Sequence, residues 1–153
     1  MTKFAAAVAG PFRGVTDSRR LIVLDTNVVV SALLNPLGAP AQILGLTLAG
    51  ELTAAYDSRI LLEYRDVLRR REFGFSRRRV ADILEALEGD GLSVTPRPLS
   101  ERLPDPADEP FLEVAVAAGA ELITGNLRHF PPACRAGVTV LLPRGFLESL
   151  RGR

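Results

Sequence analysis

Cysteine, histidine and lysine each occur once in this chain of 153 residues, and tryptophan does not occur at all. Cys134 alone can close no intramolecular disulfide and supplies no thiolate cluster for zinc, which fits a reducing compartment and leads us to expect a cytoplasmic protein. His129 alone rules out multi-histidine zinc chemistry and leaves a Ser-His-Asp triad with a single possible base. No stretch approaches the ~20 apolar residues needed to span a bilayer, so no membrane association is expected. There is no G-x-x-x-x-G-K loop, and no G-x-G-x-x-G follows the first apolar run, so the sequence signals of nucleotide binding are missing. Carboxylates and amides remain as the groups able to do chemistry.

What is present reads as one domain. A hydrophobic content of 47% over this length is enough for a real core. Residues 1–18 open with MTKFAAAVAG, too short and alanine-rich for a signal peptide, and are read as a flexible extension before a single domain at 19–153. Leu21 to Leu24 is an uninterrupted apolar run ended by Asp25, the pattern of a parallel strand buried on both faces. Helices are expected over Asn27–Leu34, Ala39–Ala49 and Arg59–Arg71, the last with Ser58 as N-cap, and from Ser76 to Leu87 with Gly89 and Gly91 as stops. Val80, Ile83, Leu84 and Leu87 mark the buried stripe of that fourth helix. Short strands are expected at Leu52–Ala55, Ser93–Thr95, Leu122–Thr124 and Val138–Leu142. Pro96, Pro98, Pro104 and Pro106 exclude regular structure before a helix with Asp108 as N-cap and Pro110 in its first turn, running to Gly119. Gly145–Leu150 is a short terminal helix. Strands alternate with helices throughout, which predicts an α/β fold around a mainly parallel sheet.

The net charge of +1 conceals a division: arginines cluster from Arg59 to Arg79, and acids dominate from Asp82 to Glu109. Such a basic strip beside an acidic centre can hold a polyanion over a metal, or it can simply solvate helix surfaces. Asp25 directly follows a buried strand, where an uncompensated carboxylate is costly. In a doubly wound sheet the ends of the strands before Asp25 and Asn126, together with the loop before Asp108, converge on one edge. Carboxylates gathered there repel one another unless a cation neutralises them, and oxygen donors of this kind suit Mg²⁺ or Mn²⁺. Taken singly, each residue also has a plainer role. Asp25 and Asp108 could cap helices, Glu63 could be an ordinary helical residue, Asp105 and Glu109 could solvate a loop, and Thr26, Asn27 and Thr124 could bind backbone in tight turns.

The ordered set is more specific than its parts. LIVLDTNVVVSALL, SRILLEYRDVL, DPADEPFLEVAVAAGAELITGNLRHF and the closing VTVLLP resemble the PIN-domain family, in particular its branch of toxin components of toxin–antitoxin systems, over Leu21 to Leu150. The resemblance implies a three-layer α/β/α, Rossmann-like fold and a Mg²⁺- or Mn²⁺-dependent ribonuclease. Its catalytic acids would be Asp25, Glu63 and Asp108, the metal would draw in addition on Asp105 and Asn126, and Asn27 and Thr124 would support the site. It further implies an RNA substrate, an antitoxin protein partner and self-association as a dimer. Arg69, Arg70, Arg77 and Arg128 are the candidate RNA contacts. The family often has a fourth aspartate where this chain has Asn126, an amide that can donate an oxygen but no charge. Weaker metal binding is therefore expected, and a catalytically weak or inactive module that binds RNA or protein is the alternative. Phosphoryl transfer through Asp25, as in receiver domains or haloacid-dehalogenase-type phosphatases, is disfavoured: those families need a lysine near the site, and Lys3 lies in the extension.

Overall fold

The computed structural model describes residues 19–152, so the expected extension at 1–18 lies outside the described residues. Five strands form one parallel sheet: β1 Arg20–Leu24, β2 Leu52–Tyr56, β3 Leu92–Ser93, β4 Glu121–Ile123 and β5 Val140–Leu141. Their order across the sheet is β3-β2-β1-β4-β5. The most apolar strand is central because parallel sheets are covered on both faces: Ile22, Val23 and Leu24 are buried, paired with Ala54 on one side and with Glu121, Leu122 and Ile123 on the other. Arg20, at the start of β1, pairs with Glu121 on β4 and lies 4.5 Å over the ring of Phe146.

Among the described residues, six α-helices surround the sheet: α1 Thr26–Leu34, α2 Ala39–Leu48, α3 Ser58–Leu68, α4 Arg77–Asp90, α5 Glu109–Ala118 and α6 Pro143–Arg151. The chain steps outward in one direction from β1 to β3, then crosses back to β4 on the far side of β1. Right-handed crossovers therefore carry α5 over the face opposite α1–α4, where it packs on β1, β2 and β4. This is the expected three-layer α/β/α arrangement, and the direction of winding switches between β1 and β4.

Several local boundaries differ from the sequence reading for identifiable reasons. Asp57, not Ser58, caps α3: its carboxylate accepts the Ile60 N–H at 3.1 Å, a stronger acceptor than the hydroxyl one residue later. Gly89 does not stop α4, which absorbs it and runs on to Asp90. Gly91 does end the helix, since a Cβ there would meet the carbonyl oxygens of Ala54 and Leu87 at 2.5 Å. The third strand is Leu92–Ser93 rather than Ser93–Thr95, and the last shortens to Val140–Leu141, because only those residues are in ladder register with β2 and β4, although Val94 N–H still bonds Tyr56 O and Thr139 O still accepts Leu122 N–H. Helix α6 starts earlier than expected, with Pro143 in its first turn. Among the described residues, no single helix is long and apolar enough to cross a membrane.

Candidate active site

Asp25 stands at the carboxyl end of β1, beside the switch in winding. Its backbone N–H donates to Ile123 O at 2.9 Å, which ties it to β4. It occupies the N-cap position of α1 but makes no side-chain cap bond. Instead its Oδ2 accepts the Thr124 hydroxyl at 2.8 Å and, more weakly, the Asn27 amide at 3.4 Å. The two loops are stapled further, with Gly125 N–H donating to Asn27 Oδ1 at 3.0 Å and Asn126 N–H to Thr124 Oγ1 at 3.1 Å. A side chain at Gly125 would press on Asn27, its Cβ 3.2 Å from Oδ1. Burial raises the Asp25 carboxyl above its usual range, the Thr124 bond opposes that rise, and Glu63 adds to it.

Glu63 reaches the site from α3, where its Oε2 accepts the hydroxyl of Thr26. The next residue fixes that helix: buried Tyr64 donates its hydroxyl to Leu24 O at 2.5 Å, so α3 is anchored to the end of the strand that carries Asp25. Asp108 arrives from the opposite layer, closing a 3-10 turn over Pro106–Asp108 just before α5. It makes no cap bond, so burial of its carboxylate serves no helix. Oδ2 is buried and accepts no hydrogen bond; His129 Nδ1 lies 3.2 Å away, within ion-pair range but without hydrogen-bond geometry. The Asp108 carboxyl is raised to about 6, first by burial and then by the charge of Asp25, with His129 opposing and Asp105 and Glu63 adding. Asp105 caps the 3-10 turn through a 2.9 Å bond from Ala107 N–H.

These groups surround one cleft of about 800 Å³. Asp25, Asn27, Glu63, Asp105, Asp108 and Arg70 line it. Thr124 lies behind Asp25, fully buried. Asn126, Arg69, Arg77 and Arg128 are not part of the lining, and the Asn126 side chain is taken up by the Arg128 N–H at 3.1 Å. The sequence reading passed over Arg59, Asp66, Phe73 and His129, all of which line the cleft. For Arg59 and Asp66 a signal existed: Arg59, Leu62, Glu63, Asp66 and Val67 recur at i, i+3, i+4, i+7 and i+8, one face of α3, and Arg70 continues that face just past the helix end. For His129 no local signal existed, since only the return of the chain after β4 sets it against Asp108.

Among the described residues, no three acidic, histidine or cysteine side chains converge closely enough to enclose a metal on their own. The donor chemistry nevertheless suits a hard cation that keeps most of its waters. Asp108 Oδ2 is a buried carboxylate oxygen with no hydrogen bond, and the nearby charge of Asp25 adds to the cost of ionising it. Asp25 and Asp108 are the residues that would hold such an ion.

The PIN domain profile matches residues 21–128. An uncharacterized protein of Methanocaldococcus jannaschii is 31% identical over 108 residues, covering 69% of this chain and 70% of that protein. Among solved structures, FitAcB from Neisseria gonorrhoeae superposes with a TM-score of 0.55 at 21% identity, covering 80% of this chain and 98% of that one, a likeness of fold. With the profile spanning every strand from β1 to β4 and the acids Asp25, Glu63 and Asp108, the chain belongs to the PIN-domain family.

Proposed function

We propose that this chain is a divalent-metal-dependent endoribonuclease that hydrolyses RNA phosphodiester bonds as the toxin of a toxin–antitoxin pair, acting in the cytoplasm. The observation that carries the reading is the buried Oδ2 of Asp108, without a hydrogen bond, in the same cleft as the buried Asp25. A native fold rarely retains such an oxygen unless something absent from the bare chain completes it. Asp25 and Asp108 would hold Mg²⁺ or Mn²⁺, with Glu63 and Asp105 at the rim and Asn126 the weakest candidate because its amide oxygen is already engaged. When bound, such an ion would supply Lewis acidity and would lower the pKa of water enough to make it a nucleophile near neutral pH.

The chain's own residues do the rest. Thr124 and Asn27 hold Oδ2 of Asp25, which fixes the carboxylate at the cleft. Thr26 restrains Glu63, and Tyr64 fixes the helix beneath it. Arg70, on the cleft wall, would meet a phosphate of the substrate. Arg69, Arg77 and Arg128, exposed and outside the cleft, would act on more distant phosphates.

The test is incubation of purified protein with structured and unstructured RNAs, with Mn²⁺ or with chelator. Cleavage that needs the metal and is lost in Asp25→Ala supports the reading; its absence in every condition overturns it. Asn126 favours a second reading, a module that binds RNA or protein without cleaving, and binding that survives both chelation and Asp25→Ala without cleavage would establish that one. The proposed antitoxin is tested by co-expression with the product of the neighbouring reading frame, which should form a complex with reduced cleavage. Light scattering during size-exclusion chromatography tests the proposed dimer.

A further inference from the structure

One wall of the cleft is apolar although it shares the cavity with five carboxylates, those of Asp25, Glu63, Asp66, Asp105 and Asp108. Val30 of α1, Leu62 and Val67 of α3, and Phe73 line it. Leu62 is 54% exposed, a large apolar side chain left to water at a cleft that otherwise gathers charge. Phe73 sits in the 3-10 turn Arg71–Phe73, and its ring stacks on Phe75 with centroids 5.4 Å apart and planes 13° from parallel. Phe75 in turn packs against the core. The platform is therefore held from behind, and Gly74 at φ +64 makes the tight turn that brings the two rings together.

The turn that carries this platform is strongly positive, although the cleft beside it gathers acids. Between residues 69 and 79 there are six arginines and one acid, Glu72. All six arginines are exposed, and the ion pair of Arg78 with Asp82 is long, at 3.9 Å. Arg70 lines the cleft together with Phe73. Aromatic surface interleaved with arginine is how proteins hold an unpaired strand: bases stack on the rings while phosphates meet the guanidinium groups. A duplex would present phosphates and sugars to the same wall and leave its apolar groups without a partner.

We infer that Phe73 is a nucleobase platform, on which an unstacked base of a single-stranded RNA lies beside Val67 and Leu62, with its flanking phosphates over Arg70 and the arginine turn. The inference rests on the ribonuclease reading and deepens it, because it makes an unstacked base next to the scissile bond part of what the site selects. Phe73 touches the base and not the reacting phosphate, so it governs affinity and cleavage position rather than the chemical step.

The experiment measures fluorescence anisotropy of a labelled ten-nucleotide RNA and of the same strand with abasic positions, in chelator, so that cleavage does not intervene. Wild type, Phe73→Ala and Phe73→Trp are compared, with circular dichroism to verify folding. The expected result is a roughly tenfold preference of wild type for the base-bearing strand, lost in Phe73→Ala and kept in Phe73→Trp. Equal affinity of wild type for both strands, or an equal fall on both strands in Phe73→Ala, overturns the inference, as does failure to bind RNA, which would point to a protein as the occupant of the wall. A Mn²⁺ cleavage arm separates the two claims. Discrimination without cleavage sinks the ribonuclease reading and leaves the platform standing, whereas cleavage with no effect of Phe73→Ala on KM or on cut position sinks the platform alone.

Discussion

Three acids on or just before the first turns of α5, Asp108, Glu109 and Glu113, are all buried, yet their surroundings differ completely. Glu109 accepts Leu103 N–H at 2.9 Å and Arg102 Nε at 3.0 Å. Glu113 accepts Leu99 N–H at 3.2 Å and pairs with Arg59 at 2.9 Å, and Arg59 is also held by Asp57 at 2.7 Å. The two glutamates thus strap the proline-rich segment after β3 onto the helix and hold it without regular structure. Asp108, one residue before Glu109, has a buried oxygen with no hydrogen bond. The carboxyl of Glu109 is lowered by Arg102 and the Leu103 amide, and that of Asp108 is raised by burial and by Asp25. Burial and residue class are shared; the supply of donors separates an acid that stabilises the fold from one that is free to serve a site.

The comparison can be broken most severely at the site. Asp108→Ala should reduce metal-dependent cleavage by at least about 100-fold, the order expected when a group that stabilises transition-state charge is lost, while Glu109→Gln should leave turnover within a few-fold. Single-turnover kinetics at saturating Mn²⁺ reads both. On the structural side, Glu113→Ala leaves the Leu99 amide and the Arg59 guanidinium short of a partner and should cost about 2 kcal/mol, discounted because Arg59 is half exposed. Urea unfolding would measure it, and cleavage by the folded fraction should be little changed.

The pH dependence sharpens the contrast because the two neighbours have opposite signs. Asp108, raised to about 6, favours the folded state below its unfolded value of 3.8, and that contribution is lost as pH rises through 6. Asp108→Asn should therefore be more stable than wild type at pH 7.5 in chelator, by about 2 kcal/mol, with the gap closing near pH 4. Saturating Mn²⁺ should narrow the gap at pH 7.5 by stabilising wild type alone. For Glu109, lowered from 4.5, stability is present above that value and lost as pH falls below it, so Glu109→Gln should be less stable than wild type at neutral pH and equal to it in acid. Thermal melts across pH 3.5–8 read both trends. The smallest expected effect is Tyr64→Phe, which loses the bond to Leu24 O and should cost about 1 kcal/mol, with a modest fall in turnover as α3 loosens behind Glu63.

Much of the fold was legible because it depends on local pattern. The apolar run Leu21–Leu24, the stripe Val80–Leu87 and the alternation of strand and helix follow from periodicity alone, whereas the set of acids Asp25, Glu63 and Asp108 is what the family resemblance implies. Element ends were less legible: Asp57 displaced Ser58 as cap, and β3 and β5 were trimmed to the residues in ladder register with the neighbouring strand.

By itself, the sequence determined the class of fold and the acidic character of one sheet edge, since buried apolar periods and strand-ending carboxylates are properties of short segments. Only the tertiary structure decided which acids are satisfied and which are left open. That depends on donors far away in the chain: Thr124 for Asp25, 99 residues on, Leu99 and Arg59 for Glu113, and none for Asp108 Oδ2. Tertiary packing also set Asn126 to holding a turn and brought His129 and Phe73 to the cleft. A hydrogen bond between distant segments exists only once both ends are in place, and no local pattern encodes it.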